Sequence, residues 1–96
     1  MRSLTHDVAA ENDLIDIWIY TYEEWSFEQA ERYLDALEVG TGRLAEKPET
    51  GKRRDELRQS YWSVRIEHHV VFYTFTDSEV RIRRVLHEVM DVKRHL

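Results

Sequence analysis

The sequence predicts an α+β domain in which a helical hairpin packs on one face of an antiparallel sheet, in the order β-α-α-β-β-β. Three observations predict it. Two capped segments of helical periodicity fill residues 7–46, three β-patterned runs divided by turn signals fill residues 61–87, and a short alternating run precedes the first helix. Ninety-six residues suit one domain, 1–96, with no room for a second core.

Residues 2–6 alternate around Leu4 and read as a short strand. Asp7 suits an N-cap, because its carboxylate can accept free amide hydrogens of the first helical turn. Leu14, Trp18, Tyr22 and Trp25 then recur on one helical face. The stretch Leu14–Tyr22 is apolar nearly all round, and Ile15, Ile17 and Ile19 also fit a strand; length and the cap favour helix. A helix apolar on every side needs cover on every side. One face is expected on the sheet, and the surplus around Ile15, Trp18, Ile19 and Tyr22 under the second helix or a partner.

Ser26 and Gln29 form a capping-box pattern that opens the second helix, expected to reach about Glu46 with Ala30, Tyr33, Leu34, Leu37, Thr41 and Leu44 on one face. Gly40 and Gly42 within it cost about 1 kcal/mol each relative to Ala. They either permit close helix-to-helix approach or weaken the last turns. Lys47-Pro48 ends the helix. Residues 49–57 form a polar loop whose Lys52-Arg53-Arg54 run is a solvated surface or a phosphate contact.

Tyr61–Ile66 alternates, with Trp62, Val64 and Ile66 on one face. His69–Phe75 is apolar on both faces, as a central strand is. Thr76-Asp77-Ser78 is a hairpin turn, and Val80–Leu86 is the last strand, followed by a charged tail holding His87, Met90, Asp91 and His95.

Composition narrows the function. There is no cysteine, which excludes disulfides and thiolate metal sites and suits a reducing cytoplasm. No secretory leader pattern and no run of about 18 apolar residues is present, so neither secretion nor a membrane span is expected. The net charge of −5 divides into −8 over residues 1–51 and +3 over residues 52–96. An acidic chain is not expected to bind nucleic acid by bulk charge, though a local basic patch is compatible with it.

Gly-x-Ser-x-Gly and P-loop motifs are absent. His68 and His69, adjacent on a strand, point to opposite faces, so no metal site is expected, and no cofactor. A general acid–base ribonuclease needs cations for phosphate and a group poised for proton transfer. Arg65, Arg84 and His87, with Arg81 and Arg83 nearby, supply those types; equally, they read as arginines alternating outward on a sheet.

The chain resembles the ParE toxins of the ParE/RelE superfamily of type II toxin–antitoxin systems. The resemblance rests on Asp13-Leu14, Asp16-Ile17-Trp18, Tyr20-Thr21, Trp25, Gln29-Ala30, Tyr33, Leu44–Pro48, Gly51, Tyr61, Arg65, His69–Tyr73, Arg84–His87 and Met90-Asp91. It covers almost the whole chain, and the Leu-His-x-x-Met-Asp ending is its most specific part. It implies a RelE/ParE-like fold and a cytoplasmic bacterial toxin that poisons DNA gyrase and blocks replication. A ParD-like antitoxin would neutralise it in a hetero-oligomer.

The resemblance also implies a non-enzymatic inhibitor without sequence-specific nucleic-acid binding of its own. Arg84, His87, Met90 and Asp91 become expected target contacts, and Ile15, Trp18, Ile19 and Tyr22 expected antitoxin contacts. Antitoxin tails that fold on binding lay a helix in a groove or add a strand to a sheet edge. The basic second half could meet an acidic antitoxin tail or gyrase-bound DNA.

The RelE branch shares the fold but cleaves mRNA on the ribosome with a basic cluster and often a C-terminal tyrosine. Here no tyrosine follows Tyr73. That nuclease, and a non-toxic co-regulator that only binds antitoxin, are the alternatives. The chain departs from the family pattern at several positions. Ser26 replaces a usual Gly, Trp62 and Val89 replace common arginines, Arg83 takes a usually apolar position, and His6 a usual Leu.

Overall fold

The run His69–Phe75, apolar on both faces, is the middle of the sheet. In the computed structural model, which describes residues 1–96, the elements are β1 (Ser3–His6), α1 (Val8–Glu24), α2 (Phe27–Gly42), β2 (Lys52–Arg53), β3 (Trp62–Ile66), β4 (His69–Phe75), β5 (Glu79–His87) and a terminal turn of helix, α3 (Val92–His95). The strand order is β1-β5-β4-β3-β2, with β4 central as expected. The fold class is the α+β sheet with a helical hairpin that the sequence predicts. Two details differ. Lys52-Arg53 adds a two-residue edge strand, and β1 pairs with β5 in parallel, because the hairpin carries the chain away between them.

One face of the sheet forms the core with the hairpin. Val71 and Tyr73 of β4 and Val80, Ile82 and Val85 of β5 pack with Ala10 and Ile17 of α1 and with Leu37 and Leu44. Trp62, Val64 and Ile66 of β3 join from the side, as their alternation predicts. On the opposite face Phe72, Leu86 and Ser63 are also buried. There Arg54 lies over the Phe72 ring and donates to Ser63 Oγ at 3.1 Å.

Register β4–β5 slips between Phe72 and Tyr73, whose partners are Arg84 and Ile82. Arg83 is therefore the extra residue of a β-bulge. The bulge accommodates an arginine where the resemblance leads one to expect an apolar residue: its guanidinium reaches Thr74 Oγ1 at 3.1 Å and Asp7 Oδ2 at 3.2 Å.

The capping expectations divide. Ser26 Oγ accepts the Gln29 amide at 3.0 Å and starts α2 as predicted. Asp7 has N-cap backbone geometry but makes no side-chain cap bond. Its carboxylate instead takes Arg81 and Arg83, a charge-assisted pair that outcompetes a neutral amide.

The α1 register also differs from the expected Leu14–Trp18–Tyr22–Trp25 face. The residues that reach the core are Ala10, Leu14, Ile17 and Thr21. Trp25 is 75% exposed. Helix α2 ends at Gly42 and tightens into a 3₁₀ turn, Arg43–Ala45. Gly40 does not serve helix-to-helix contact. A Cβ there would stand 2.5 Å from Ile66 Cδ1, so the glycine brings α2 down onto β3, whereas Gly42 faces open space.

Candidate functional site

Two surfaces hold the sequence-predicted site residues, one on α1 and one at the end of β5. On α1 the turn-by-turn logic that buries Ile17 and Thr21 turns Ile15, Ile19 and Tyr22 outward, where they are 55%, 45% and 50% exposed. Trp18 lies between the faces. Its ring stacks on Tyr22 at 5.3 Å, meets Phe27 of α2 edge-on at 6.0 Å, and donates Nε1–H to Glu31 at 2.8 Å. The second helix thus covers Trp18 in part and leaves the rest of the surplus apolar face open.

At the end of β5 the residues take different roles. Arg84 forms a forked pair with Asp13 of α1, Nε to Oδ2 and Nη2 to Oδ1 both at 2.8 Å. Asp13 Oδ2 also accepts the Val85 amide at 2.9 Å, capping the β5 edge where β1 has ended. Arg84 donates in addition to the His95 carbonyl at 2.5 Å, so one guanidinium ties α1, β5 and α3 together. The Asp13 hydrogen bonds push the Arg84 pKa further up, keeping it charged.

After β5 the chain turns through a Met90 amide bond to the His87 carbonyl, and His87 Nδ1 accepts the Val89 amide at 3.2 Å. Asp91 caps α3 by accepting the Lys93 amide at 3.1 Å. Val89 and Met90 stand 82% and 44% exposed beside this turn.

The nuclease set is not gathered. Register pairs His87 with His69 and Ile66 on the helix-side face. Arg65 and Arg84 lie at the alternate positions, on the other face. Arg65 is further neutralised by Glu88 at 2.7 Å.

A titratable network that sequence reasoning missed surrounds His87 instead. His69 is buried, shares a 2.6 Å hydrogen bond with Tyr33 of α2, and meets the His87 ring edge-on at 5.1 Å. Tyr33 also accepts the His68 amide at 3.0 Å, and His68 Nδ1 pairs with Glu88 at 2.8 Å. Burial, then the neighbouring charges of His87 and His68, pushes the His69 pKa down to about 4, leaving it neutral near pH 7. Burial likewise raises Tyr33, and the His68 hydrogen bond lowers Glu88. Adjacent histidines at a strand start carry one usable signal, since alternation sends one of them inward. Asp13 on the rim of the buried α1 stripe was a similar sign.

Comparisons with known proteins identify the family. A family model described as "ParE toxin of type II toxin-antitoxin system, parDE" matches residues 6–92. The chain is 39% identical over 89 residues to Toxin ParE1 of Mycobacterium tuberculosis, covering 92% of this chain and 91% of that one. It is 39% identical over 87 residues to Toxin ParE1 of Caulobacter vibrioides, covering 91% and 90%. Toxin ParE of Escherichia coli matches at 39% over 88 residues, covering 91% and 85%.

A solved chain described as "Chromosomal ParDE TA system from P. aeruginosa" superposes with a TM-score of 0.79 at 18% identity, covering 91% of this chain and 96% of that one, which shows the shared fold. No helix is long and apolar enough to cross a membrane. With the family model spanning both surfaces and three relatives aligned along nearly their whole length, the chain belongs to the ParE toxin family of type II toxin–antitoxin systems.

Proposed function

We infer that this ParE-type toxin poisons DNA gyrase in the cytoplasm as a stoichiometric inhibitor, and that a ParD-like antitoxin neutralises it. The observation that carries the reading is the family match over residues 6–92, which takes in both candidate surfaces. The scattered nuclease residues support the non-enzymatic part. Arg65 and Arg84 each hold a carboxylate partner, and His87 sits on the other sheet face. General acid–base cleavage needs cation and proton donor around one phosphate. The tail around His87, Met90 and Asp91 is the proposed gyrase contact, with Arg84, held in its fork with Asp13, at its base and the exposed apolar Val89 beside it. The α1 face around Ile15, Trp18, Ile19 and Tyr22 is the proposed antitoxin contact.

A supercoiling assay tests the target. Purified chain should inhibit gyrase and trap cleaved DNA. Undiminished supercoiling at stoichiometric excess overturns the reading. Primer extension after expression, showing cuts at ribosome-positioned codons that vanish in His87→Ala, would install the nuclease instead. Harmless expression without antitoxin would leave only a co-regulator.

A further inference from the structure

The helical hairpin carries a charge pattern that neither its fold nor its core requires. Between Val8 and Gly42 there are nine acidic residues and one basic residue, Arg32, a net charge of −8. Asp13 is bound to Arg84; the other eight carboxylates are exposed and none has a cationic partner. Elsewhere the molecule behaves differently. Asp7, Asp55, Glu56, Glu79 and Glu88 each face an arginine within 4 Å. Outside the hairpin half of the acids, five of ten, thus hold an arginine, against one of nine within it.

Glu11, Asp16 and Glu23 of these free acids border the open apolar face of α1. Val8, Ile15, Ile19 and Tyr22 recur at helical spacing, are all about half exposed or more, and run roughly 21 Å along α1. Glu11 lies three residues after Val8 and four before Ile15. Asp16 and Glu23 lie three before and four after Ile19, and residues at these spacings are surface neighbours on a helix. Glu31 reaches in from α2 to the Trp18 indole at 2.8 Å. An apolar stripe with carboxylates on both borders attracts a cationic amphipathic segment. It repels an acidic one, and it repels a second copy presenting the same face.

We propose that the outer face of α1 docks a cationic amphipathic segment of the antitoxin, three to four helical turns long, whose Lys or Arg residues flank apolar anchors. The proposal rests on the toxin–antitoxin reading above and fixes the chemistry of the partner. An acidic antitoxin tail meeting the basic second half of the chain, one of the two partners open to it, would then belong to a different segment.

The experiment titrates the full chain with the antitoxin encoded beside it, by tryptophan fluorescence, at about 50 and about 500 mM salt. The double variant Asp16→Asn/Glu23→Gln should bind about tenfold more weakly at low salt and lose much of the salt dependence, with Asp77→Asn on the β4–β5 turn as an unaffected control. Ile19→Asp tests the apolar face separately. If Ile19→Asp abolishes binding while the double variant binds like the parent, the face docks a partner but not a cationic one, and the proposal is overturned. If neither variant matters, antitoxin contacts lie elsewhere and the α1 assignment falls with it. Concentration-dependent self-association that Ile19→Asp removes would make a second copy the occupant and also overturn it. Gyrase inhibition is read in a separate assay, so failure of the target reading leaves this result intact.

Discussion

His69 and Asp13 are the side chains whose surroundings make the sharpest demands. His69 meets Tyr33 from α2 and His87 from β5, with the charges of His68 in the β3–β4 turn, Glu88 and Asp13 nearby. Its pKa is about 4 in the fold against 6.5 in the unfolded chain, so the unfolded state binds the extra proton first. Stability from this group is therefore complete above about pH 6.5 and declines as pH falls towards 4. The full loss is on the order of 3 kcal/mol. Urea unfolding across that window should show the decline, and His69→Phe should flatten it relative to the parent. An unchanged slope in the variant would assign the acid sensitivity to carboxylates alone. Asp13 makes a different demand, since it satisfies both the Arg84 fork and the Val85 amide. Asp13→Ala should cost about 2–4 kcal/mol, because a half-buried guanidinium loses its counter-charge. The Asp13→Ala/Arg84→Ala double variant should cost less than the sum of the two singles, as chemical denaturation would reveal.

At the scale of elements, spacing and caps were legible while faces were not. Ser26 announced α2, the turn at Thr76–Ser78 announced the last hairpin, and continuous hydrophobicity announced β4 as central. The core face of α1 was misread because Leu14–Tyr22 is apolar all round, so periodicity had no polar side against which to set a phase. Only packing chose Ile17 over Trp18. The β1 pairing mode and the Lys52-Arg53 strand were illegible for another reason: both depend on partners distant in sequence, and two to four residues hold too little pattern to declare them. The glycines of α2 show how a composition rule separates once geometry is known. Gly42→Ala, facing open space, should stabilise by up to about 1 kcal/mol. Gly40→Ala should gain nothing, since its methyl must displace Ile66 and forfeit packing on β3. Thermal unfolding of the two single variants checks this, and equal gains would show that α2 can lift from the sheet freely.

Across the whole molecule the two proposed surfaces occupy separate elements, which makes their functions separable by mutation. The α1 face is part of the hairpin, whereas Val89 and Met90 lie in the turn beyond β5, joined to the body through His87, the Glu88 contacts with His68 and Arg65, and the Arg84–His95 and Arg58–Leu96 hydrogen bonds. Substitutions at residues this exposed should move stability by no more than about 0.5 kcal/mol. Any loss of toxicity would then be a loss of contact. Met90→Asp should weaken gyrase inhibition at least tenfold while leaving antitoxin affinity unchanged, because it places a charge where an apolar group meets the target. The family resemblance leads one to expect arginine where Val89 stands, so Val89→Arg should strengthen inhibition, with the half-inhibitory concentration as the readout. The pair is informative together. If Met90→Asp also abolishes antitoxin binding, the tail is shared between partners or structural, and the division of surfaces is wrong. If Val89→Arg changes nothing while Met90→Asp is inactive, the tail contact is apolar rather than electrostatic, and the positive charge of the second half serves another purpose.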